Sequence, residues 1–186
     1  QEDSQFGALI HEITSTVITN EIPGLKEVNA VDAAGVHPLL LAIGRERYTP
    51  YNSIEKPQEL LTIANHILGT GQLSLAKYLF ICNEENGIRS NNEREFFSHF
   101  FERVDWKRDL HFQTKTTIDT LDYSGDNLNQ GSKLVVAAVG DIKRKLAKKV
   151  PKMNLPKDFS NPKLVHDGNL IIEGHGDIEC LISLLE

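Results

Sequence analysis

Residues 104–133 read VDWKRDLHFQTKTTIDTLDYSGDNLNQGSK and hold four basic and five acidic side chains, with Lys107, Arg108 and Asp109 consecutive. Arg103 with Asp105, and Arg108 with Asp109, are of the types that form structural ion pairs bracing a strand entrance. Such a pair, when buried, fixes geometry more surely than it adds net stability. At the far end of the stretch, Gly131 and Ser132 follow a polar loop and precede an apolar run. Backbone N–H groups in that setting can face an anion, and the Lys133 ammonium can meet a phosphate. A plain turn is the competing reading. Further on, the run from Lys143 to Lys152 places six cations in ten residues. It is expected as a basic helix over 141–152, solvated and with its charge toward a helix C-terminus, or else as a holder of a small anionic molecule.

Other chemistries lack their residues. The seven histidines, His11, His37, His66, His99, His111, His166 and His175, form neither an HxH nor an HExxH spacing, so no metal site is expected. No Gly-x-Ser-x-Gly elbow is present, and Cys82 closes an apolar run with nothing nearby to activate it. The GTG of residues 69–71 follows a helical pattern rather than a strand, which is the wrong context for a dinucleotide. Walker motifs are absent.

The elements that must position these residues follow from composition and periodicity. A chain of 186 residues with 40% hydrophobic and 25% charged residues, mean hydropathy −0.29 and net charge −6 suits one globular domain and disfavours a nucleic-acid partner. No transmembrane segment or leader is visible, and Cys82 and Cys180 read as buried free thiols of a reduced, cytoplasmic compartment. The absence of an initiator Met suggests that the chain begins inside a longer protein.

Residues 1–20 form a lead-in helix or strand, and strands are expected over 26–31, in HPLLLAIG and in AKYLFICNEENG. Between the last two, the Leu60, Ile63, Ala64, Ile67 and Leu68 face predicts a helix and therefore a parallel crossover. A second helix carries Phe96, Phe97, Phe100 and Phe101, and an Asn caps it. DLHFQTK, SKLVVAAVG and LIIEG are further strands, Leu110, Phe112 and Thr114 sharing one face of the first. Residues 151–169 read as a long wrapping connection and DIECLISLLE as a final helix. The class is α/β, a mixed, partly parallel sheet of about six strands with helices packed on it.

Taken in order, these segments resemble the C-terminal domain of the UbiD family of reversible decarboxylases. The likeness rests on Lys77-Tyr78, Arg103-Val104-Asp105, Arg108-Asp109, Asp119 with Leu121-Asp122, and Gly131-Ser132-Lys133, and covers roughly residues 20–140. Asn83, Trp106 and Tyr123 depart from the family's usual aspartate, proline and proline. The resemblance implies a parent carboxy-lyase that uses prenylated FMN with a divalent metal on a small aromatic or unsaturated acid, including the precursors of ubiquinone or menaquinone. It implies no catalytic residue in this fragment, a cofactor-side role for Gly131, Ser132 and Lys133, flavin-binding domains supplied by N-terminal segments, and a homo-oligomer. The fragment alone is expected to be inactive; the alternative is a non-catalytic interaction or assembly domain.

Overall fold

Apolar runs without alternation mark strands covered on both faces, and β2 (Leu39–Gly44) is such a run, buried from Leu40 to Gly44. The computed structural model describes residues 17–31, 38–46, 56–85, 87–120, 122, 125 and 127–175. Of the expected lead-in, residues 17–21 are helical; the rest of it, with Tyr123, Cys180 and the expected final helix, lies outside the described residues.

β1 (Leu25–Ala30) pairs antiparallel with β2, and β3 (Tyr78–Asn83) pairs parallel with β2 across the helix α1 (Glu59–Leu68) and a 3-10 turn (Gly71–Leu75). After α2 (Glu93–Arg103), β4 (Leu110–Thr117) and β5 (Gln130–Ala138) complete a five-stranded sheet in the order β1-β2-β3-β5-β4. β5 is parallel to β3 and antiparallel to β4. The class and the β2–α1–β3 crossover are as expected.

Alternate residues of β2, β3 and β5 serve the two faces. Leu40, Ala42, Leu79, Ile81, Val135 and Ala137 pack on Leu60, Ile63, Ala64 and Ile67 of α1. Leu41, Ile43, Cys82, Val136 and Ala138 pack on Phe96 and Phe100 of α2. Gly44 permits the first contact: a side chain there would stand 2.7 Å from Leu60 Cδ2. On the second face Phe80 meets Phe100 edge-on at 5.2 Å between ring centres, and burial of each large aromatic stabilises by about 1.5–3 kcal/mol. Asn92 caps α2 as expected, its Oδ1 accepting from Glu95 N at 3.4 Å.

The strands, about six by expectation, number seven among the described residues, five in the main sheet and two in a separate pair. The chain divides into two compact units, Gln1–Lys143 and Arg144–Glu186. Two expectations are corrected. Within the supposed connection 151–169, Phe159–His166 is β6, which turns back into β7 (Asn169–Gly174). Its Leu164 and Val165, too sparse to signal a strand alone, acquire register only by pairing with β7.

Nor do residues 141–152 form a helix. Arg144 and Lys148, Lys145 and Lys149, and Lys148 and Lys152 would stack like charges one turn apart. Pro151 disfavours a helical conformation at the residue before it, Val150. Lys143 is tied instead to the end of α2, its N–H donating to Glu102 O at 2.8 Å and its Nζ to Arg103 O at 2.6 Å.

β4 is an edge strand with a register break between Gln113 and Thr116, where Lys115 takes φ 53°. Its expected alternation holds at Leu110, which packs on the α2 cluster, but Phe112 is 67% exposed.

Candidate functional site

β2, β3 and β5 run in one direction, so the first unit has a carboxyl end and an amino end, and a cavity lies at each. At the carboxyl end, β2 leads into Glu46, which is 9% exposed. Its carboxylate accepts the N–H groups of Gln58, Glu59 and Leu60 at 2.7, 3.0 and 3.1 Å, supplying the cap that Gln58 does not. Asn83, at the end of β3, accepts Glu46 N–H on Oδ1 at 3.1 Å. An amide oxygen suffices for that bond, which accounts for Asn83 at this position.

The ion-pair expectation holds for one pair and fails for the other. Asp109 is fully buried and takes Arg108 in two contacts, 2.6 Å from Nε and 3.1 Å from a terminal nitrogen. Asp105 N–H donates to Asp109 Oδ2 at 2.8 Å, so the carboxylate closes the turn that starts β4. Arg103 does not pair with Asp105. It points back along α2, donating to His99 O at 3.1 Å and standing 3.3 Å from Glu85 and 3.4 Å from Glu102. Sequence adjacency misled here, because an extended residue at Val104 swings Asp105 off the helix.

His99, missed from sequence as a site residue, is 6% exposed with Nδ1 3.3 Å from Glu85. Burial, with Arg103 in support, lowers its pKa below the usual value against the pull of Glu85 and Glu102. Asn83, Glu85, His99, Arg103, Arg108 and the 139–143 loop bound a cavity of about 590 Å³. Trp106, the second departure, lies over Phe101 at 5.9 Å between ring centres. Cys82 is inert: burial pushes its thiol up to about 12.

At the amino end, Lys133 corrects its expectation. It is 3% exposed, and its ammonium donates to Ala76 O at 2.7 Å and to Ser74 O, bracing the 3-10 turn before β3. Burial lowers its pKa. Gly131 lies within β5 opposite Thr116 rather than in a turn, and a side chain there would meet Ile118 Cδ1 at 2.6 Å. Gly131 and Ser132 still line an open cavity of about 540 Å³, with Lys77 and Lys115. Lys77 pairs with Asp122 at 2.9 Å. Two ammonium groups and a hydroxyl have the chemistry to meet a phosphate; the Lys133 ammonium is turned instead to the carbonyls of Ser74 and Ala76. Among the described residues no group of three or more His, Cys, Asp or Glu converges. None of the helices among the described residues is long and apolar enough to cross a membrane.

Residues 4–138 match the 3-octaprenyl-4-hydroxybenzoate carboxy-lyase C-terminal domain family. A Chlamydia pneumoniae protein described as a subunit of 4-hydroxybenzoate decarboxylase is 32% identical over 193 residues, a match covering 100% of this chain and 30% of that protein. The chain spans 25–30% of the length of the curated relatives it matches. The apo 3,4-dihydroxybenzoic acid decarboxylase of Enterobacter cloacae superposes with TM-score 0.59 at 14% identity, over 83% of this chain and 32% of that one. The UbiD-class enzyme HmfF of Pelotomaculum thermopropionicum, solved with FMN, gives TM-score 0.54 at 12% identity over 76% of this chain and 28% of that one. At such identities the likeness is one of fold.

Proposed function

Because this chain belongs to the 3-octaprenyl-4-hydroxybenzoate carboxy-lyase C-terminal domain family, we propose that it is the C-terminal part of a decarboxylase acting on an aromatic or unsaturated carboxylic acid, in the reduced cytoplasm and in quinone biosynthesis. The observation that carries this reading is the family match over 4–138 in a chain only a quarter to a third as long as its relatives. The remaining length of such a relative is ample for flavin-binding domains, and the full-length enzyme assembles as a homo-oligomer. Prenylated FMN supplies the chemistry of CO2 release when bound there. This chain's own residues hold and orient: Lys77, Lys115 and Ser132 offer charge and hydrogen bonds to the flavin phosphate, with Gly131 keeping the approach clear. Lys133 supports that face from behind by holding the turn at Ser74 and Ala76.

The test is CO2 release from 4-hydroxybenzoate with prenylated FMN, by the 186-residue chain alone and together with the flavin-binding domains it is proposed to serve. Release is expected only in the second case; release at a full rate by the chain alone would overturn the reading. In the assembled enzyme Lys77→Met, or Lys115→Asn (asparagine tolerates the left-handed backbone), should weaken flavin binding by about tenfold. Unchanged flavin affinity in both variants would sink the phosphate role.

A further inference from the structure

The carboxyl-end cavity has no part in that reading. Open α/β sheets bind ligands in the crevice outside the carboxyl ends of their strands. This cavity stands at the ends of β3 and β5, lined by Asn83, Glu85, His99, Arg103, Gly140 and Lys143. Its donors are incompletely matched. Arg103 Nε is buried without a hydrogen-bond partner among the described residues, an unsatisfied donor that calls for an acceptor. The Glu85 contacts to Arg103, at 3.3 and 3.4 Å, are long beside the ~2.7–2.9 Å of a good charge-assisted bond. The Glu85 side chain is 49% exposed and thus has room to leave. Beyond β5, the N–H groups of Gly140, Asp141 and Ile142 have no backbone carbonyl partner among the described residues. Gly140 takes φ 82°, a conformation in which successive N–H groups turn toward one anion. Lys143 adds an ammonium held in place by Arg103 O and Val139 O.

We propose that this cavity binds a small oxyanion, the carboxylate or phosphate group of a metabolite, which displaces Glu85 from Arg103 and is held by the guanidinium, the 140–142 N–H groups and Lys143. Until that exchange, the Glu85 carboxylate holds the place of the ligand's charge. The site lies at the opposite end of the sheet from the face assigned to the flavin, and it stands or falls independently of the decarboxylase reading.

The test is NMR titration of the 15N-labelled 186-residue chain with sodium phosphate and, separately, sodium acetate, against sodium chloride at equal ionic strength. Saturable shifts of the Gly140 amide and the His99 ring, with a midpoint of about 1–10 mM in at least one arm, are expected. The arm that saturates identifies the group as phosphoryl or carboxylate. Arg103→Lys, which keeps the charge but loses the fork, should weaken binding at least ~tenfold. Glu85→Gln should tighten it by removing the competing charge, and Lys26→Ala, an exposed cation outside the cavity, should leave it unchanged. Shifts that do not saturate in either arm, or a Glu85→Gln variant that binds more weakly, would overturn the proposal. Should Arg103→Lys fail to fold, the Glu85→Gln result decides alone.

Discussion

At the carboxyl end of the sheet carboxylates brace the fold: Glu46 takes the α1 backbone, Asp109 takes Arg108 and the Asp105 N–H, and Glu85 stands 3.3 Å from both His99 and Arg103. At the amino end one cation, Lys133, is buried against carbonyls, while Lys115 makes no ion pair among the described residues and faces an open cavity. The difference follows from what each end must anchor. Two helices and the start of β4 meet the carboxyl end, so three backbone segments need their N–H and C=O groups satisfied there. At the amino end α1 runs out into the 3-10 turn, whose carbonyls take Lys133, and Lys77 pairs with Asp122.

Removing Asp109 is the severest way to break this contrast. Asp109→Ala removes the buried carboxylate that the Asp105 N–H and Arg108 share, and should lower unfolding free energy by about 2–3 kcal/mol in urea titrations. A loss under ~1 kcal/mol would mean that the β4 entrance is not braced as described. Next comes Glu46→Ala, which leaves three α1 N–H groups unpaired and should cost about 2 kcal/mol; Glu46→Gln, retaining an acceptor oxygen, should recover most of it. At the amino end Lys133→Met should cost only about 1 kcal/mol, since relief of a desolvated charge offsets two lost hydrogen bonds. If Lys133→Met costs as much as Asp109→Ala, the two ends do not differ in the manner described.

The smallest effect is a pH dependence confined to the carboxyl end. His99 has a folded pKa below its unfolded value, so the unfolded state binds the proton more readily. Its contribution is therefore present above the unfolded value of about 6.5 and is lost as pH falls toward the folded pKa. The urea midpoint of the native chain should drop over this window, and the drop should shrink in His99→Gln; an equal drop in both would assign it to other groups.

Local signals carried the helices and the central strands. Asn92 before a Phe-rich period, and the α1 face of Leu60, Ile63, Ala64 and Ile67, each encode their structure within one turn or two. The sites were less legible because their contacts span long separations. Lys133 finds Ala76 57 residues away, and Arg103 finds Glu85 18 residues away, so adjacency suggested a phosphate for one and Asp105 for the other. Glu46 left a trace that could have been read: Gln58, which precedes α1 and follows Pro57, is a poor N-cap, which implies an acceptor from elsewhere. The cationic run failed as a helix for an electrostatic reason visible in its sequence, the stacking of like charges every fourth residue.

The irregularity in β4 has a consequence for how crowded molecules of this protein behave. A long straight outer strand offers unpaired N–H and C=O groups as a template for another chain, and an exposed Phe112 would add apolar adhesion. The break between Gln113 and Thr116 divides that template into two short pieces, with Lys115 projecting from the twist between them. A strand so interrupted resists recruitment into intermolecular sheets, so colloidal solubility is written into one backbone kink.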